Sequence, residues 1–146
     1  MGNTNVIESL KKTLSEEYIL QLKTQNFHWN VEGPLFFSLH KLFEEQYNAI
    51  SEHVDATAET LRALKAKAPG SFAEFKTFSK IEEASPEKYT ATKMIEVLSQ
   101  DHTNVATAFK GRLEEAESAG EISAVTLYED LITFHEKAAW MIRSHS

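Results

Sequence analysis

The sequence predicts an all-α protein, a bundle of four long helices with a short extra helix in the long link between the second and third. Three observations lead to this prediction. Apolar residues recur at steps of three and four along four long segments. Glycine and proline are scarce and fall mainly in the breaks between these segments. No alternating apolar and polar pattern bounded by hairpin signals predicts a strand anywhere in the chain.

The first two helices are predicted from apolar stripes that flank the break at Gly33-Pro34. The helices are expected over roughly 4–30 and 36–66, with boundaries uncertain by about two to four residues. The first stripe consists of Ile7, Leu10, Leu14, Tyr18 and Leu22. The second consists of Leu39, Phe43, Tyr47, Ile50, Val54, Ala58 and Leu61.

The last two long helices are expected over roughly 90–118 and 122–144, on either side of Gly120. Their stripes consist of Ile95, Leu98, Val105, Phe109 and Leu113, and of Tyr128, Leu131, Ala138 and Ile142. Between helices two and three, Ser71-Phe72-Ala73-Glu74 has the form of a capping box, which predicts a short helix near 72–79. The short links make antiparallel neighbours, and the long link can cross the bundle.

Length and composition favour one domain, 1–146, that handles cations rather than nucleic acid. The 146 residues suffice to bury a core without disulfides, and the absence of cysteine excludes thiolate sites. The net charge of −7 and the lack of Lys or Arg in residues 1–5 disfavour direct DNA binding. No signal peptide or membrane-spanning apolar run is visible, so a soluble cytoplasmic protein is expected.

Two pairs of potential metal ligands lie along the predicted second helix. His40 and Glu44 are four residues apart, as are Asp55 and Glu59, so each pair shares a helix face. The separation of eleven residues between Glu44 and Asp55 is close to three turns, so both pairs point the same way. Each ligand directly follows a residue of the apolar stripe, which places this polar line beside a buried seam.

The two pairs of one chain cannot meet on one ion, because eleven residues of helix span about 16 Å whereas metal–ligand bonds are about 2 Å. An antiparallel copy of the same helix, packed about a two-fold axis near residues 49–50, would solve this. It would set His40 and Glu44 against Asp55 and Glu59 of a second subunit, at two sites about 22 Å apart. His28, near the end of helix one, can complete a shell that suits Fe(II) and would also accept Zn, Co or Mn.

Acids at four-residue spacing are also typical of a solvated helix face, so spacing alone leaves a purely structural helical oligomer open. A metal site inside one bundle is disfavoured, because such sites use Glu-x-x-His motifs on two helices. No histidine of this chain has Glu three residues before it. His102 lies on the apolar stripe of helix three and is expected in the core, whereas His53, His135 and His145 are expected at the surface.

The run from His28 to Glu44, HWNVEGPLFFSLHKLFE, resembles the first signature of the Dps family of mini-ferritins, and predicted helix lengths agree over nearly the whole chain. The resemblance implies a ferritin-like bundle and a hollow dodecamer. It implies that His28, His40 and Glu44 of one subunit join Asp55 and Glu59 of its two-fold mate as metal ligands and catalytic residues. Many relatives have Asp at position 44 and Arg at position 60, where this chain has Glu44 and Thr60.

The activity that the resemblance implies is ferroxidation. Fe(II) would be oxidised to Fe(III), preferentially by hydrogen peroxide rather than oxygen, and stored as ferric mineral, which protects against oxidative stress. Trp29 is either a core or interface aromatic or an electron donor beside the iron, and Glu45, Asn48 and Glu52 either nucleate mineral or face solvent. The alternative function is a nucleoid protein that condenses DNA without significant ferroxidase activity.

Overall fold

The computed structural model describes residues 2–146 and confirms the all-α, ferritin-like class. Its helices are α1 Gly2–Asn30, α2 Phe36–Ala63, α3 Phe72–Phe78, α4 Ala91–Ala119 and α5 Ile122–Arg143. Met1, the first residue of the predicted domain, lies outside the described residues. None of these helices combines the length and the apolar character that crossing a membrane would require.

The long helices form two hairpins, α1 with α2 and α4 with α5, that pack against each other. Ser38, near the start of α2, contacts His145 just beyond α5, so α2 and α5 run antiparallel. Thr13 of α1 bonds Tyr128 of α5, early in both helices, so these two run parallel. The link 64–90 therefore returns along the bundle, and α3 within it packs on α1.

Local chemistry explains where the helices begin. The Ser71 hydroxyl accepts a hydrogen bond from the Glu74 amide at 3.3 Å, as the predicted capping box requires. The Glu74 carboxylate in turn accepts from the Ser71 hydroxyl at 2.8 Å and from the Gly70 amide at 3.2 Å. Thr90 caps α4 in the same way by accepting from the Lys93 amide at 3.1 Å.

The ends of α2 and α4 use the same backbone device with different residues. Gly120 ends α4 with φ +71°, a left-handed conformation that glycine adopts freely. At α2 this position is Lys65, with φ +67°, and the Ala66 amide donates to the Leu61 carbonyl at 3.0 Å. The helix ends at Ala63, three residues before the predicted end, because Lys65 adopts this left-handed conformation. A lysine gives no sequence signal for such a turn, so the predicted helix is too long.

A polar layer interrupts the hydrophobic core near the middle of the bundle. One apolar cluster includes Leu10, Leu14, Leu61, Phe109, Tyr128 and Leu131. The other includes Leu20, Phe27, Phe43, Ile50, Leu98 and Ile142. Between them each long helix contributes one polar residue, and these are Glu17, His53, His102 and His135.

Candidate metal centre

The turn between α1 and α2 brings the two predicted histidine ligands together. Gly33 has φ +105°, which favours glycine, and its carbonyl accepts a hydrogen bond from the Phe36 amide at 3.0 Å. This tight connection places α2 antiparallel to α1. His28, in the last turn of α1, therefore faces His40, in the second turn of α2.

His28 and His40 are held by reciprocal hydrogen bonds between the two helices. Nδ1 of His28 donates to the His40 carbonyl at 2.7 Å, and Nδ1 of His40 donates to the His28 carbonyl at 2.7 Å. Their rings stack with centroids 3.9 Å apart and planes 14° from parallel. Each imidazole thus links its own helix to the backbone of the other.

This arrangement determines which ring nitrogen can bind a cation. A carbonyl oxygen only accepts hydrogen bonds, so in the neutral form of each histidine Nδ1 carries the proton and Nε2 carries the lone pair. Across residues 2–146 nothing hydrogen-bonds either Nε2 atom. Both Nε2 atoms are therefore free to act as metal ligands, with the ring orientation fixed by the other nitrogen.

The predicted acidic ligands divide into one beside the histidines and two apart from them. Glu44 lies one turn after His40 and is half-buried. Asp55 and Glu59 lie further along α2 with exposed side chains. In the described part of the chain, no three His, Asp or Glu side chains gather closely enough to hold a metal ion. A single chain thus supplies only part of the predicted ligand set.

Thr60 does not take the role of the arginine that the family resemblance implies after the last glutamate. Its hydroxyl donates to the Ala56 carbonyl at 2.8 Å, one turn back on the same helix. The side chain is therefore used within α2 and does not orient Glu59.

The secondary candidates lie at the surface of the single chain. Trp29, next to His28, is 59% exposed, so it is not a core residue of one subunit. Glu45, Asn48 and Glu52 are also exposed and form a polar line on α2. For Trp29 the interface and electron-donor interpretations therefore remain, and for this polar line both interpretations remain.

A buried hydrogen-bonded chain is the main polar feature that the sequence did not predict. Glu17 bonds Nε2 of His135, and Nδ1 of His135 bonds Nδ1 of His102 at 2.7 Å. Both histidines are fully buried. The prediction of a core position for His102 is confirmed, and the prediction of a surface position for His135 is wrong. No local sequence signal could have placed His135, because its partner Glu17 is 118 residues away in the sequence.

Burial keeps the hydrogen-bonded residues Glu17, His135 and His102 uncharged at neutral pH. Loss of solvation raises the pKa of Glu17 to about 8, and the nearby His53 lowers it only in part. Loss of solvation also lowers the pKa of His135 to about 3 and the pKa of His102 well below its usual range. The proton therefore resides on Glu17, whose hydroxyl donates to His135.

Three buried atoms of the polar layer have no hydrogen-bond partner within residues 2–146. They are Oε2 of Glu17, Nδ1 of His53 and Nε2 of His102.

Comparison with known proteins places this geometry in a family. The family model of the ferritin-like domain matches residues 7–146. DNA protection during starvation protein 2 of Bacillus anthracis is 35% identical over 142 residues, which cover 97% of both chains.

Solved structures agree with the fold. Dps from Staphylococcus aureus matches with a TM-score of 0.93 and 35% identity, over 97% of this chain and 95% of that one. The Dps protein of Vibrio cholerae O1, described as a member of a broad superfamily of ferritin-like diiron-carboxylate proteins, matches with a TM-score of 0.91 and 25% identity. That match covers 98% of this chain and 89% of the other.

Proposed function

The chain belongs to the Dps family of ferritin-like proteins, and from that premise we propose that it is a ferroxidase that detoxifies and stores iron. Fe(II) is its substrate and ferric mineral its product. The reaction takes place at sites shared between two subunits of a hollow dodecamer. The observation that carries this proposal is the stacked pair His28 and His40, whose Nε2 atoms are both free for a cation.

The shared site follows from where the acids lie. Asp55 and Glu59 are exposed on α2, whereas the imidazoles lie near its start. Two copies of α2 packed antiparallel about residues 49–50 would bring the acids of one subunit to the imidazoles and Glu44 of the other. Imidazole nitrogens with carboxylate oxygens form a donor set that binds Fe(II).

The chemistry of the reaction is a two-electron reduction of hydrogen peroxide by two Fe(II) ions. Each Fe(II) loses one electron, and hydrolysis of the resulting Fe(III) gives hydrous ferric oxide and releases protons. When both electrons reach the same peroxide molecule, its O–O bond breaks without release of a hydroxyl radical. The protein's part is to bind and orient the iron and to supply negative charge beside it.

The ferric product is proposed to collect on acidic surface facing the hollow interior. Glu45 and Glu52 are exposed on the same helix as the ligands, so they offer carboxylates close to the point of oxidation. Removal of Fe(II) and peroxide together would protect DNA without contact with it. This accounts for the description of the Bacillus anthracis relative as a DNA protection protein.

A subunit-mixing experiment tests the shared site. One variant carries His28→Gly and His40→Gly, and the other carries Asp55→Asn and Glu59→Gln. Each alone is expected to lose fast peroxide-dependent Fe(II) oxidation in stopped-flow absorbance, while size-exclusion chromatography shows an intact oligomer. When the two are unfolded, mixed equally and reassembled, half of the two-fold pairs are mixed and each regains one complete site. Activity should return to about one quarter of wild type.

The control is the same mixing with each variant and itself, which should stay inactive. No recovery in the mixed oligomer would contradict the shared site, because a site within one chain cannot be complemented. Full activity in either variant alone would reject the ligand assignment.

A further inference from the structure

We propose that Phe36 is a positioning residue for the cation site, holding the imidazole of His40 against that of His28. This inference rests on the proposed function, since it concerns the same histidines. Phe36 is the first residue of α2 and precedes His40 by one turn. It would not touch the metal ion and would act through the histidine ring.

The geometry that carries this proposal is a column of four rings. Phe36 stacks on His40 with centroids 4.8 Å apart and planes 21° from parallel. His40 stacks on His28, and Tyr47 meets His28 edge-on at 5.3 Å and 62°. His40 is therefore stacked with two rings, Phe36 and His28, and Phe36 closes the end of the column at His40.

Phe36 contributes little to the core of the bundle. Its side chain is 41% exposed, and it belongs to neither apolar cluster of the described residues. Because Phe36 is partly exposed, its main contact is the ring of His40 that it covers rather than the apolar core. Its contact with His40 is thus the feature that needs explaining.

The stacking affects metal binding through the orientation of the ring. His40 keeps its Nδ1 bond to the His28 carbonyl only while its ring stays stacked between those of Phe36 and His28. A ring that rotates or swings away loses this bond, and Nδ1 then competes with Nε2 as the unprotonated nitrogen. Phe36 blocks that movement, so Nε2 is presented before the ion arrives and less ordering is needed on binding.

The test compares Phe36→Leu with Phe36→Tyr and Phe37→Leu in the assembled protein. Phe37 is the matched control, because it is the adjacent phenylalanine, is 74% exposed and has no ring contact within residues 2–146. Co(II) serves as the probe, since its d–d absorption reports ligand geometry. We expect Phe36→Leu to weaken Co(II) binding by roughly three- to tenfold, the effect of losing one aromatic contact.

A second measurement reports the imidazole directly and without metal. Solid-state ¹⁵N NMR of histidine-labelled protein, assigned with single variants at His28 and His40, distinguishes protonated Nδ1 from protonated Nε2. Wild type and Phe36→Tyr should show only protonated Nδ1 at His40, and Phe36→Leu a mixture of both. Phe37→Leu should match wild type in both measurements, and size-exclusion chromatography should show the same oligomer for all.

The outcomes separate this inference from the proposed function. If Phe36→Leu retains the wild-type proton position at His40, Phe36 is not a positioning residue, and the proposal is overturned. If the wild-type protein binds no Co(II) at His28 and His40, the proposed function fails. The metal-free NMR comparison would still decide whether Phe36 orders the ring.

Discussion

At the scale of single residues, one ring nitrogen of His28 and His40 stabilises the fold and the other is available for the proposed metal binding. Nδ1 of each ties one helix to the other, and Nε2 remains for a cation. A substitution at either position therefore removes a link between α1 and α2 as well as a ligand. For this reason the subunit-mixing experiment, which restores activity without restoring either side chain, is more informative than loss of activity alone.

Glu17 is a residue whose protonation is coupled to the stability of the fold. With its pKa raised by burial to about 8, the folded chain keeps a proton that the unfolded chain releases above its ordinary pKa of 4.5. Stability from this group is present at low pH and is lost as pH rises through 8. The buried histidines act in the opposite sense, because lowered pKa values mean that acid favours the unfolded chain below pH 6.5.

We predict that Glu17→Gln removes a loss of stability between pH 6.5 and 8. The contribution of the buried histidines changes little above about pH 7 and is common to both proteins, so the difference between the wild-type and variant curves reports the Glu17 proton. The free energy of unfolding of wild type should fall by roughly 1–2 kcal/mol from this group, whereas glutamine stays neutral and still offers an N–H to His135. Thermal unfolding at several pH values measures the difference.

Glu8→Gln, at an exposed position, serves as the control and should follow wild type. Parallel curves for wild type and Glu17→Gln across this range would show that Glu17 is already ionised at neutral pH, against the assignment made above.

The His28–His40 pair could be predicted from the sequence, whereas the position of His135 could not. His28 and His40 could be paired from sequence, because only twelve residues separate them and the spacing fits a helical hairpin. His135 could not be placed, because its partners Glu17 and His102 lie on other helices and no local pattern joins them. Long-range polar contacts of this kind depend on how helices rotate against each other, which apolar stripes define only coarsely.

At the scale of elements, the helices end where particular residues permit a left-handed turn. The predicted breaks at Gly33 and Gly120 are confirmed by their positive φ values. The start of α3 was also predictable, because Ser71 and Glu74 stand at capping-box spacing. The end of α2 was not, because Lys65 adopts a conformation that costs a non-glycine residue energy.

We predict that Lys65→Gly and Gly120→Ala change stability in opposite directions. Glycine at position 65 relieves the left-handed strain and should raise the free energy of unfolding by about 0.5–1 kcal/mol, and alanine at 120 should lower it by about 1 kcal/mol. Denaturant titration measures both. Lys67→Gly, outside the left-handed turn, is the control and should not stabilise. Equal effects at 65 and 67 would mean that loss of a lysine charge, rather than backbone strain, is responsible.

At the scale of the whole molecule, the net negative charge disfavours direct binding to DNA, so the proposed protection of DNA does not depend on contact with it. Each chain carries a net charge of −7, so a dodecamer would present a strongly negative body to a phosphate backbone. The same charge would attract Fe(II), in keeping with the proposed function.

We predict that the assembled protein does not retard duplex DNA in a gel-shift assay near neutral pH, even at about 50 mM salt, where phosphate contacts are strong. The matched control is the same chain with an added lysine-rich N-terminal tail, which should retard DNA and release it as salt increases. Salt-sensitive retardation by the protein without the added tail would instead support the alternative, a nucleoid protein that condenses DNA.

The polar layer at mid-bundle also determines how far each helix can slide along its neighbours. In a uniformly apolar core, moving one helix by a turn exchanges one aliphatic contact for another at small cost. Here such a shift would leave Glu17 or His135 facing an aliphatic layer without a partner, a far more costly exchange. The hydrogen-bonded part of the layer, Glu17, His135 and His102, thus favours a single axial register of α1, α4 and α5.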